Sequence, residues 1–323
     1  MPPALTTHTQ PLTAAQAEQL KRVLAERGFA FEAKPYTLFS ARKDKLSIAV
    51  YEKGPKAVLQ GKGLEDFITF VLEPEVLGEA RLGYEEVRDP EKFAPHFGID
   101  ESGKGDFFGP LVIAGVYVNG ALAKRFQEFG IRDSKAITSD ASIRKLAKLI
   151  RESGAAQSVI VIGPEKYNQL YTKIGNLNRL LAWGHARIIE NLCELQPDCP
   201  RALSDKFADA RVLERSLMEK GRGILLDQRT KAESDFAVAA ASILAREKFI
   251  DWMDQKGFEL NLGASLPRGA SAAVKKQAAK IVEIYGEQAL KTVAKMHFKT
   301  AYEVLGLPVP ERPVFVRRTP KSA

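Results

Sequence analysis

The sequence predicts an α/β domain of roughly 215 residues preceded by a small α+β module of roughly 75. Three observations carry this. A chain of 323 residues is long enough for about two domains. Its first quarter reads as a helix, several short alternating runs and a second helix. From Phe97 onward, unbroken apolar runs instead alternate with long helical patterns, as strands buried on both faces of a sheet require.

In the first module, Thr13 and Gln16 form a capping box, Ala17, Leu20, Val23 and Leu24 recur at helical spacing, and Gly28 closes the helix. Strands are predicted at Tyr36–Ser40, Leu46–Tyr51 and Ala57–Gln60, parted by the turn-like runs Arg42–Lys45 and Lys53–Lys56. A second helix from Leu64 to Leu72 is expected to stop at Glu73-Pro74. Lys34, Arg42, Lys43, Lys45, Lys53, Lys56 and Lys62 gather on these turns and strand ends. They make either a solvated face or a phosphate-gripping surface, with Tyr36 and Phe39 available for stacking. Residues 78–95 have linker composition. Beyond it, strands are predicted at Phe97–Ile99, Leu111–Val118, Ser158–Ile162 and Ala202–Ser204. Helices are predicted at Ala121–Phe129, Asp140–Glu152, Leu177–Glu194, Phe236–Asp254 and Ser271–Tyr285. The expected organisation is 1–85, 95–308 and a loose, proline-rich tail at 309–323 carrying Arg317-Arg318.

Composition narrows the function classes. Hydrophobic residues at 45% and charged residues at 27% exclude disordered, collagenous and coiled-coil chains. The 48 Lys+Arg against 40 Asp+Glu leave a net charge of +8, which favours an anionic partner without requiring one. Cys193 and Cys199 fit no zinc or redox spacing, so a reducing compartment is expected. The start of the chain lacks a signal-peptide pattern, and the apolar run Leu111–Val118 is too short to span a bilayer. A cytoplasmic protein without membrane association is expected, with a monomer as the working state.

Chemistry concentrates at Gly98-Ile99-Asp100-Glu101-Ser102-Gly103-Lys104-Gly105-Asp106. Two adjacent carboxylates end an apolar strand and run into a glycine-rich turn. Regular alternation would send them to opposite faces; a twist at the glycines could bring both to one point. Backbone N–H groups of Gly103-Lys104-Gly105 can approach an anion closely. Asp205 follows another short apolar run and suits either a site loop or a helix cap. Glu233-Ser234-Asp235 precedes an Ala-rich helix, where acidic residues also cap. Together these offer up to four hard oxygen donors with no His/Cys set in competition, a pattern suited to Mg²⁺ or Mn²⁺. His185, on an apolar helix, reads as structural, and His297 as a packed surface histidine.

The run Gly98 to Pro110 resembles the signature of type 2 ribonucleases H. Four further stretches add to it: Asp133-Ser134-Lys135, Asn176-Leu177-Asn178 through Leu181-Ala182-Trp183-Gly184-His185-Ala186, Leu203-Ser204-Asp205, and Ala240 through Arg246. Asp106-Phe107-Phe108-Gly109-Pro110, the Trp-Gly-His-Ala run and the extra N-terminal module resemble the HIII branch rather than HII. The resemblance implies an RNase H-like fold behind a small domain similar to TATA-binding protein. It implies endonucleolytic cleavage of the RNA strand of RNA/DNA hybrids, leaving 3′-hydroxyl and 5′-phosphate ends, with Mg²⁺ or Mn²⁺, in two sites, and no organic cofactor. It places the metal-binding catalytic carboxylates at Asp100, Glu101, Asp205 and Glu233, with Asp235 as the competing fourth. Gly103, Lys104 and Gly105 correspond to the turn that reads ribose 2′-hydroxyls, and Ser134 and Lys135 to a phosphate-contacting motif. The alternatives are an HII-like activity at single ribonucleotides and a hybrid-binding protein without catalysis.

Overall fold

The structure, a computed structural model, describes residues 6–79, 86, 89–230 and 232–310. The Pro313, Arg317-Arg318 and Pro320 features of the tail lie outside the described residues. The chain divides into two compact units, Met1–Phe93 and Ala94–Ala323.

The first unit contains β1 (Thr7–Pro11), α1 (Ala14–Glu26), β2 (Ala30–Glu32), β3 (Thr37–Lys43), β4 (Leu46–Tyr51), β5 (Lys56–Gly61) and α2 (Leu64–Phe67). Its antiparallel sheet has the order β1-β5-β4-β3-β2. The Thr13–Gln16 capping box forms, each side chain bonding the other's backbone N–H. It satisfies donors that the first turn of α1 would otherwise leave open. Leu20 and Leu24 of α1 pack with Ile48 and Leu59 of the sheet and Leu72 beyond α2.

Two expectations here need correction. Phe39 is buried, because β3 shifts register between Thr37 and Phe39. The bulge turns Phe39 into the core and leaves Tyr36, 83% exposed, and Leu38 outside. Nor does the second helix stop at Pro74: after Phe67 it continues as wider π-type turns from Ile68 to Leu77. Proline breaks an i→i−4 ladder, and the wider turns accommodate that break while Val71, Leu72 and Val76 stay buried.

The second unit contains β6 (His96–Ser102), β7 (Leu111–Val118), α3 (Gly120–Glu128), α4 (Asp140–Glu152), β8 (Gln157–Ile162), α5 (Pro164–Ile174) and α6 (Leu177–Leu195). There follow β9 (Arg201–Asp205), α7 (Ala210–Glu214), β10 (Leu225–Arg229), α8 (Phe236–Glu259), α9 (Ala272–Val293) and α10 (Lys299–Val304). The sheet order is β10-β9-β6-β7-β8, with β6 parallel to β9, β9 parallel to β10, and β6-β7-β8 antiparallel.

Two glycines set the layers. A Cβ at Gly98 would lie 2.2 Å from the backbone of Ala237 and Val238, so α8 packs directly on that face of β6. A Cβ at Gly115 would lie 2.4 Å from the Ile188 side chain, so α6 covers the other face through its side chains. Among the described residues, no helix is long and apolar enough to cross a membrane.

Candidate functional site

Strand register builds the site. Phe97, Gly98 and Ile99 of β6 pair in parallel with Ala202, Leu203 and Ser204 of β9. One residue further along both strands stand Asp100 and Asp205. Residues side by side on neighbouring strands share a face, so both carboxylates follow Gly98 toward α8. Alternation is not broken at Glu101, because β6 remains paired with β7 through Ser102. Glu101 therefore points toward α6. The two neighbours meet at one site because the strand ends there, and a cleft of about 430 Å³ wraps over its tip.

Asp100, Glu101, Gly103, Lys104, Gly105, Ser134, Lys135 and Asp205 all line that cleft, joined by Ser242, Arg246 and Arg268. Asp100 is 8% exposed. Burial, aided by the charge of Glu101, pushes its carboxyl up to about 8, against the pull of the Glu101 amide, the Ser242 hydroxyl and Lys135. Burial also opposes ionisation of Glu101. The hydrogen bond from His185 and the proximity of Lys104 outweigh it and hold this carboxyl below the usual range. His185 Nε2 lies 3.1 Å from Glu101 Oε2, and Lys104 Nζ lies 3.5 Å from Oε1. Partial burial works against the charge of Lys135. The fields of Asp100, Asp133, Glu233 and Asp205 more than reverse this, holding its ammonium above the ordinary lysine range.

The turn after β6 is set by sterics. Gly103 has φ +87°, and a Cβ there would lie 2.1 Å from the carbonyl oxygen of Pro110. Gly105 faces open space. Behind the turn, the fully buried Lys295 donates to the carbonyls of Asp106 at 2.9 Å and Gly109 at 2.6 Å. The Gly269 amide donates to Asp106 Oδ1 at 2.6 Å. Ser134 is buried, bonded through its hydroxyl to Ser242 and through its carbonyl to Arg246. These bonds anchor the loop that carries exposed Lys135.

Glu233 stands apart from this lining. It sits on the short turn Ala232–Ser234 and borders a neighbouring depression with Asp133. The Ala232 amide, just before it, reaches Asp205 Oδ1 at 3.4 Å. Asp235 has a different employment: its Oδ1 accepts from the amides of Ala237 and Val238, capping α8, and lies 2.9 Å from buried His96 Nε2. Among the described residues, no group of three or more His, Cys, Asp or Glu is already gathered closely enough to hold a metal ion.

The family model for ribonuclease HII matches residues 97–301. Ribonuclease HIII of Protochlamydia amoebophila is 44% identical over 95% of this chain and 98% of its own length. The chain belongs to the ribonuclease HIII family of enzymes. Ribonuclease HIII of Chlamydia abortus is 45% identical over 88% of this chain and 93% of its own. The crystal structure of Bst-RNase HIII in complex with Mn²⁺ superposes with a TM-score of 0.64 at 27% identity, covering 93% of this chain and 98% of that one. The RNase H-like fold expected of the second unit is thus present, behind an α+β first unit.

Reading the sequence assigned no role in the ribonuclease HIII site to Arg268 of the cleft lining or to the histidine of α6. His185 is buried on α6, as a structural histidine would be, yet it bonds Glu101 directly. The available signal was a lone imidazole on an otherwise apolar helix face, a placement that demands a polar partner.

Proposed function

We propose that this protein is an endoribonuclease that cuts the RNA strand of RNA/DNA hybrids by two-metal-ion hydrolysis, leaving 3′-hydroxyl and 5′-phosphate ends. One observation carries the reading. Asp100, Glu101 and Asp205, from two adjacent strand ends, line a single cleft with the Gly103-Lys104-Gly105 turn.

The donor set fits a divalent cation. Carboxylates are hard oxygen ligands, and burying Asp100 beside Glu101 creates negative potential that a cation would relieve. The Mn²⁺ complex of the Bst relative supports the same class of ion. Asp100, Glu101, Asp205 and Glu233 are the proposed ligands. Glu233 is preferred to Asp235 because Asp235 is committed to its cap and to His96, while Glu233 shares the field at Lys135 with Asp100 and Asp205. When bound, two such ions lower the pKa of an attacking water and offset charge on the departing 3′-oxygen.

The remaining roles belong to the chain's own groups. Gly105, open to solvent, lets the substrate backbone approach the turn, where main-chain groups of residues 103–105 can meet a ribose 2′-hydroxyl, the group that separates RNA from DNA. Lys135, on the loop placed by Ser134, faces a phosphate and offsets its charge. Exposed Lys34, Lys45, Lys53 and Lys56 of the first unit grip the hybrid backbone without reading sequence.

The test is a labelled RNA/DNA hybrid incubated with the full chain and Mg²⁺ or Mn²⁺, with fragment ends mapped. Internal cuts in the RNA strand with 5′-phosphate ends, lost in Asp205→Asn, are expected. Binding without cation-dependent product would overturn the enzymatic reading. Cleavage confined to single embedded ribonucleotides would replace it with the HII-like one.

A further inference from the structure

His185 is fully buried in a helix whose neighbouring positions are apolar or small, including Leu181, Ala182, Ala186, Ile188 and Ile189. A leucine would serve that packing without bringing two polar nitrogens into the core. Both nitrogens are instead used, and they reach two different strands. Nε2 lies 3.1 Å from Glu101 Oε2 on β6, and Nδ1 lies 3.0 Å from Ser204 Oγ on β9. Ser204 is itself buried and immediately precedes Asp205, whose carbonyl lies 3.0 Å from the same hydroxyl.

An ionised Glu101 only accepts, so Nε2 donates to it. On the other side of the ring, the single hydroxyl proton of Ser204 is shared between Nδ1 and the Asp205 carbonyl, each 3.0 Å away. The ring of Phe207 packs against the imidazole, with centroids 4.7 Å apart. The other oxygen of Glu101 is treated differently. Among the described residues, Oε1 meets the longer 3.5 Å contact with Lys104, whose side chain is 39% exposed.

We infer that His185 is a positioning residue: it pins Oε2 of Glu101, leaves Oε1 as the oxygen offered to a cation, and ties that carboxylate to the strand bearing Asp205. This rests on the reading of Glu101 and Asp205 as cation ligands. Removing a group that orients a ligating carboxylate typically costs about 10–100-fold in metal affinity.

The experiment titrates Mn²⁺ into the full-length protein without substrate, following free Mn²⁺ by electron paramagnetic resonance, for the wild type, E101Q, H185L, H185Q, S204A and the E101Q/H185L pair. H185L should weaken Mn²⁺ binding by about 10–100-fold, lower kcat on the hybrid and leave KM unchanged. H185Q, whose amide N–H can still donate to Glu101, should recover at least part of the loss. The double variant should bind no worse than E101Q alone, because both changes act through one carboxylate. S204A keeps the ring in place and removes only its second anchor, so it should show a smaller loss in the same direction and serves if H185L does not fold. If E101Q binds Mn²⁺ like the wild type, the ligand reading itself fails. If E101Q weakens binding while H185L, or S204A in its place, does not, the positioning role of His185 is wrong.

Discussion

Replacing Asp100 with asparagine should destroy activity and strengthen the fold. Asp100 ionises near 3.8 in an unfolded chain and at about 8 in its buried site. Because the folded value is raised, the native state binds more protons than the unfolded one between those limits. The stability contributed by the protonated carboxyl is complete below about pH 4 and is lost as pH rises toward about 8. At about 1.4 kcal/mol per unit, the displacement corresponds to at most ~6 kcal/mol. The asparagine keeps the shape, accepts from the Glu101 amide as Asp100 does at 2.8 Å, and carries no charge beside Glu101. It forfeits the attraction to Lys135. The net gain near pH 8 should be about 2–4 kcal/mol, vanishing near pH 4. For a unit of this size, that is a rise in Tm of roughly 5–10 °C. The assay is calorimetry of the full chain and of Asp100→Asn at both pH values without divalent ions, repeated with Mg²⁺. Added Mg²⁺ should raise the wild-type Tm and leave the variant almost unmoved. A variant no more stable than the wild type near pH 8, or a gain that persists unchanged near pH 4, would refute the picture of an electrostatically strained site.

The glycine turn separates fold from function. Gly103→Ala should cost at least ~2 kcal/mol, because its Cβ would overlap the Pro110 carbonyl. Gly105→Ala should leave Tm unchanged while lowering kcat/KM on a hybrid by ~10-fold or more, from the space it removes at the substrate face; equal losses of Tm in both would contradict this. Asp235→Asn should lower Tm by weakening the cap of α8 and the His96 contact, worth about 1–3 kcal/mol together, and leave Mn²⁺ affinity intact. Glu233→Gln should do the reverse, and an exchange of these two outcomes would transfer the fourth ligand to Asp235. Changing Lys45, Lys53 and Lys56 together to alanine should raise KM for the hybrid, reduce the salt dependence of binding and leave Mn²⁺ affinity alone. An unchanged salt slope would remove the first unit's basic turns from substrate contact.

Much of this was legible in the chain because period and sterics are local. The apolar run of β7 and the capping box of α1 stand where their patterns put them. Gly98 and Gly115, odd in buried strands, mark where helices press against the sheet. Short elements with mixed polarity were hidden: β10 reads Leu-Leu-Asp-Gln-Arg and shows no buried-strand signature, and β2 spans only three residues. Within the site, Asp100 and Glu101 announced themselves as a pair at a strand end. What alternation left open was resolved by the end of the sheet, over which one cleft reaches both faces. His185 could not be linked to Glu101 from spacing, since 84 residues separate them and only the packing of α6 on β6 brings them together.

The decisive measurement is anomalous diffraction from crystals of the full chain grown with Mn²⁺. Manganese peaks are expected within about 2.3 Å of carboxylate oxygens of Asp100 and Asp205, with Glu101 Oε1 turned toward an ion and Oε2 still on His185. Manganese bound elsewhere, with these carboxylates left unligated, would contradict the metal-site reading.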